Sequence, residues 1–206
     1  MMLTRIFAGV VTLSALAACD PVNDFRGIGA GTVPVAQSAA LDPAGNLPDP
    51  GFGSTGVSGN VADLAEIDGA LTGYRFAYGR LDGTDQFLGQ AGFASTSSVG
   101  AALVSGDVTY TGTYNLALIG EVEQIRDGNI TLLASLLDNT LTGSAGGLVV
   151  NGTFGATTAL DGTVSFGGVT ADLDGAIGAE RVVGAFAGDS ASQVLVGGIV
   201  AAAPPP

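Results

Sequence analysis

The sequence predicts an all-β protein: a small antiparallel β-barrel of about eight strands behind a lipidated, flexible N-terminal tether. Three observations carry this. Apolar and polar residues alternate at period two over most of the chain beyond residue 70. The breaks between those runs are Asp-Gly, Asp-Asn, Gly-Gly and Gly-Asp pairs, which is hairpin-turn chemistry. Proline is confined to the flanks: five of the eight prolines lie between Pro21 and Pro50, the other three are Pro204–Pro206, and none lies between. Strands that use every backbone N–H exclude proline in this way.

The elements follow in chain order. Residues 1–18 form a lipoprotein signal. Arg5 supplies the positive start, and Ile6–Leu16 is an apolar stretch too short to span a bilayer. Leu16-Ala17-Ala18-Cys19 then resembles a bacterial lipobox, with the chain's single cysteine at the position that is acylated in such signals. Cys19 is therefore the expected lipidation site. The expected location is the cell envelope, anchored to the outer membrane and facing either the periplasm or the surface. Asp20 resembles an inner-membrane retention signal, which keeps that membrane open as the alternative.

Residues 19–60 read as a Pro/Gly-rich tether with no sustained apolar period. Val61–Ile67 (VADLAEI) has the spacing of a helical turn or two. The barrel domain is expected over 61–203, with 204–206 as a tail. Its expected strands are Gly73–Gly79, Gln86–Ala94, Asp107–Ile119, Asn129–Leu137, Gly147–Gly155, Gly162–Gly167, Thr170–Ile177, Arg181–Ala187 and Gln193–Ala201. Closing them into a barrel removes exposed apolar edges. Gly184, Gly197 and Gly198 are expected to let the last hairpin bend.

Composition excludes several functions. The chain carries 19 acidic residues against 6 arginines, a formal net charge of −13, which repels phosphate backbones and rules against nucleic acid. There is no histidine, so no Ser-His-Asp or Cys-His set can be built. One cysteine allows no intrachain disulfide and no thiolate metal cluster. The carboxylate pairs Glu121/Glu123 and Asp172/Asp174 read as solvated acidic turns or strand faces, matching neither a glycosidase pair nor a calcium loop. The expectation is a non-catalytic protein with no catalytic residue, metal site or cofactor.

A resemblance adds to this. In order, the chain has Leu141-Thr142-Gly143, Gly152-Thr153-Phe154, Gly162-Thr163-Val164, and a closing Gly184, Phe186, Gly188, Ala191, Gly197 and Gly198. Over about Gly69–Ala203 this resembles the barrel domain of transferrin-binding protein B and related surface lipoproteins. The closing motif departs from the family at Ala187, Asp189 and Gln193. The resemblance implies the barrel fold, the lipid anchor and a general role in presenting loops to a partner, a host or environmental protein or a small solute. Gly79–Gln86, Ser95–Gly106 and Gly120–Gly128 are the expected contact loops.

Three alternatives stay open on sequence. One is a lipocalin-like carrier with an apolar ligand inside the barrel, which requires that Tyr110, Tyr114, Phe154, Phe166 and Phe186 leave a void. One is a barrel inserted in the outer membrane, since apolar-in and apolar-out share a period. The third is a structural envelope lipoprotein.

Overall fold

In a computed structural model the described residues are 35–48, 57–58, 65–67, 70–80, 87–95, 97–104 and 106–205. The signal segment, Cys19 and most of the stretch read as a tether lie outside them.

The described elements are all strands: β1 (Val35–Ser38), β2 (Val57–Ser58), β3 (Ala65–Ile67), β4 (Ala70–Thr72), β5 (Tyr74–Arg80), β6 (Phe87–Phe93), β7 (Asp107–Ile119), β8 (Gln124–Ser135), β9 (Thr140–Ala145), β10 (Leu148–Phe154), β11 (Ala159–Phe166), β12 (Val169–Ile177), β13 (Arg181–Asp189) and β14 (Val194–Ala202). Strands β7 to β14 form a closed eight-stranded antiparallel barrel in meander order. Pairing of β14 with β7, from Val194 opposite Ile119 to Ala202 opposite Thr111, closes it. Two of the hairpins turn on Gly146-Gly147 and Gly167-Gly168. Both residues of each pair have positive φ, the handedness that matches strand twist.

The barrel is apolar inside and polar outside. On β10, Leu148, Val150, Gly152 and Phe154 are buried, while Val149, Asn151 and Thr153 are exposed. On β11 and β12, Asp161, Thr170 and Asp172 are exposed, and Leu160, Val164, Ala171 and Leu173 are buried. A barrel facing lipid needs the reverse. The five aromatics Tyr110, Tyr114, Phe154, Phe166 and Phe186 all belong to one buried interior cluster, packed with leucines, isoleucines and valines. They fill the interior, which overturns the reading that places a ligand there.

Two expected barrel strands lie elsewhere. Gly73–Gly79 and Gln86–Ala94 become β5 and β6 of a second sheet, ordered β1-β6-β5-β2, laid on the outside of the barrel. Tyr74, Phe76 and Tyr78 do alternate toward one side. That side is the outer surface of β7, β13 and β14, where they pack with Ala117, Ile119, Ala185, Ala187, Val194 and Val196. Each fully buried side chain of this kind contributes roughly 2 kcal/mol. This second layer explains why β13 and β14 are apolar almost without interruption, since both of their faces are covered.

Element boundaries differ as well. The closed barrel itself runs over 107–202, the later part of the expected domain 61–203. The expected strand list omitted β9, whose inward positions are Leu141, Gly143 and Ala145. Ala65–Ile67 is a strand paired with β4, not a helical turn; Val61–Leu64 lie outside the described residues. Within the stretch read as a tether, β1 pairs in parallel with β6, and β2 pairs with β5.

Candidate functional site

The expected contact loops divide. Of Gly79–Gln86, residues 81–86 lie outside the described residues. In Ser95–Gly106 the described residues 97–104 form a plug across one end of the barrel, and residues 96 and 105 lie outside the described ones. Val99 is buried there, its carbonyl accepting from Glu180 N (3.0 Å) and Arg181 N (3.2 Å), and Ala101 O accepts from Ala179 N (2.7 Å). Leu103 packs on the interior cluster, leaving Val104 exposed. In the third loop, Gln124–Gly128 belongs to strand β8, so the free part is 120–123. Its Glu123 is engaged, accepting a hydrogen bond from Tyr78 Oη at 3.0 Å. A recess of about 370 Å³ beside it, as polar as it is apolar, is lined by Glu121, Val122, Gln124, Ser192 and Gln193.

A more apolar site lies between the second sheet and the barrel. It is a cleft of about 350 Å³, walled by Ser38, Ala39, Ala40, Leu41, Ala91, Gly92, Phe93, Ser95, Asp174 and Ala185. Each wall has a local cause. The strap Val35–Leu41 runs beside β6 because β1 pairs with Leu88–Ala91, and Ala39 N continues the ladder to Ala91 O at 2.8 Å. Ala39 O presses against Gly92, where a Cβ would collide with backbone. Glycine is what lets the strap lie this close.

The strap is fixed at both ends. Ala36 N donates to Asp189 Oδ1 on the barrel at 3.2 Å. Beyond Leu41 the chain is caught in a turn centred on Asp42. One carboxylate oxygen accepts from Ala44 N and Asn46 N, each at 2.8 Å, and the other accepts from Asn46 Nδ2 at 3.1 Å. Hydrogen bonds from Asn46, then from Ala44, with the Arg75 charge as the least of the causes, hold the Asp42 carboxyl below its ordinary pKa. Arg75 itself donates from Nη1 to Asn46 Oδ1 at 3.1 Å. The alternation of β5 puts it on the opposite side of the sheet from the cleft.

The barrel side of the cleft is Ala185 on β13 and Asp174 on β12, which are paired in register. Asp174 faces outward, as do Asp172 two residues earlier and Asp161, which lies directly opposite Asp174 on β11. Like charges in direct cross-strand opposition disfavour the fold. The three carboxylates have no ion pair or side-chain hydrogen bond among the described residues. The sequence showed Asp172 and Asp174 sharing a strand face but not the third member, which pairing alone brings in. It gave no sign of the cleft, whose walls come from four separate segments. Among the described residues no three carboxylates, cysteines or histidines converge as a metal site.

Chemically the cleft is an apolar slot with one carboxylate at its wall and negative charge at its lip. The side chains of Ser38 and Ser95 add two hydroxyls to its lining. It can exclude water from an apolar group and hold a polar end.

No family model matches the chain, and no curated protein matches it. Among solved structures, the isotype 1 transferrin binding protein B (TbpB) from serogroup B Neisseria meningitidis is similar to it, with 11% identity and a TM-score of 0.47. That similarity covers 63% of this chain and 31% of the other, so the chain spans less than a third of that structure's length.

Proposed function

We propose that this protein is a non-catalytic binding protein, anchored to a bacterial envelope membrane through lipid on Cys19, with the barrel as a rigid platform. The observation that supports it best is the placement of open space. The barrel interior is filled by side chains, whereas a defined cleft is held open on the outside by a strap fastened at two points. A ligand-sized cleft of about 300 Å³ or more with few polar groups is a typical binding site. The lipobox Leu16-Ala17-Ala18-Cys19 supports the anchor. A surface-facing orientation in the outer membrane, with a partner drawn from host or environment, is the finer form of this reading.

Labelled palmitate fed to cells making the full chain tests the anchor. Label is expected on the wild type and absent from Cys19→Ser. Protease shaving of intact cells tests exposure: survival of the protein in every shaved sample would remove the surface orientation. Retention of a protein or solute from serum or growth medium by wild type, lost in a Ser38→Trp variant that fills the cleft, tests binding. Equal retention by both would remove the cleft as the site.

A further inference from the structure

Resting on that binding reading, we propose that the cleft takes a small free amine: an apolar body carrying one primary ammonium group, seated with the ammonium on Asp174. Size, wall chemistry and charge each narrow the occupant. At roughly 30 Å³ per water-sized unit, a volume of about 350 Å³ holds on the order of ten non-hydrogen atoms. The walls that would enclose the body are Leu41, Ala91, Phe93 and Ala185, so most of it must be hydrocarbon. The charged group in the wall is Asp174, half-buried and without a partner among the described residues. A carboxylate beside apolar surface attracts a cation more strongly than one in open water does.

Neighbouring charge selects the sign. Asp161 stands opposite Asp174, and Asp172 lies on the same face. No arginine is among the residues that line the cleft, and the whole chain is at −13. An anionic ligand is repelled, and a neutral one gains only a hydrogen bond. A bare metal ion is a poor fit, since calcium takes six to eight oxygens and the side chains of these walls supply one carboxylate and the hydroxyls of Ser38 and Ser95 among apolar groups. Phe93 adds a ring in the wall that can face the same cation.

The test titrates the full chain with hexylamine, 1-hexanol and hexanoate, matched in body and differing in head group, by ligand-detected NMR and calorimetry. Hexylamine is expected to saturate one site, at least ten-fold tighter than hexanol, with no measurable binding of hexanoate. Asp174→Asn is expected to weaken hexylamine ten-fold or more, and Ser38→Trp to abolish binding. Asp127→Asn, at an exposed carboxylate on β8, should change it less than two-fold. All variants are first shown to melt as the wild type does.

Equal binding of the three probes overturns the amine assignment and leaves the binding reading standing. So does an Asp127→Asn effect as large as that of Asp174→Asn, which would mean diffuse attraction to an acidic surface. A lysine-containing peptide binding ten-fold tighter than hexylamine would make the occupant a protein side chain and overturn the small-ligand proposal. Failure of all three probes also overturns it, whereas the binding reading fails only on its own retention test.

Discussion

The ring of Tyr74 occupies the space that a side chain at Gly198 would fill. A Cβ there would collide with the ring carbons. Tyr74 is fully buried, and its hydroxyl accepts a hydrogen bond from Asn115 Nδ2 at 2.9 Å. The glycine thus serves as a seat for the second layer, and the bend expected of it is not needed to explain it.

Gly198→Val is therefore expected to destabilise the fold by about 2–3 kcal/mol, as overpacking does. Gly155→Ala is the contrast, since nothing lies within 4 Å of its Cβ position. It should be neutral or stabilise by up to about 1 kcal/mol through the unfolded chain. Thermal melts of the two variants check the difference.

The polarity of the barrel wall is tested by a pair of leucines. Leu116 is fully buried in the interior cluster, and Leu133 on β8 is 45% exposed on the outer face. Leu116→Ala should cost about 2–5 kcal/mol, and Leu133→Ala under about 0.5 kcal/mol. Equal costs in denaturant titration would contradict the apolar-in arrangement.

Tyr110 sits at the plugged end, donating to Gly178 O at 2.8 Å. Burial pushes its hydroxyl up to about 12. A pKa raised on folding gives stability that is intact below the unfolded value near 10 and is lost as pH climbs toward the folded one. Stability should therefore fall between about pH 10 and pH 12, and Tyr110→Phe should remove that component. At neutral pH the same variant should cost about 1–2 kcal/mol for the lost hydrogen bond. Tyrosinate absorbance against pH, with denaturation at each pH, measures both.

The strap is fixed to the barrel by Ala36 N and the Asp189 carboxylate, an exposed hydrogen bond. Asp189→Ala is expected to speed amide exchange at Ala36 while leaving β14 amides protected. The melting temperature should move little, because one exposed bond contributes about 1 kcal/mol at most. Hydrogen exchange followed by NMR reads this directly.

How much was legible in the sequence depends on what covers each strand. Asp107–Ile119 and Gly147–Gly155 were readable because one face meets water, so their period shows. Tyr74, Phe76 and Tyr78 showed their period as well, but periodicity reports that a face is apolar and not what it faces. On periodicity alone the second layer therefore reads as part of the barrel. Thr140–Ala145 carries a glycine and an alanine at two of its three inward positions, too little apolar weight to register. Val35–Ser38 was invisible for another reason: four residues in a proline-rich stretch pair in parallel with a strand some fifty residues on. The cleft depends on that strap, so it could not be foreseen.

The position of β14 in the chain governs how the molecule can form. It follows every other described strand, yet it both closes the barrel onto β7 and floors the second sheet under Tyr74. Until Val194–Ala202 is in place, β7 has an open edge, and β5 and β6 lack part of the surface they settle on. The other seven barrel pairings join neighbours in the chain, so the β14–β7 closure is the long-range step, and long-range pairing forms slowly. The local hairpins can pair before then, but the barrel cannot close. On the export route proposed for this chain, closure of the barrel waits until its last strand has emerged.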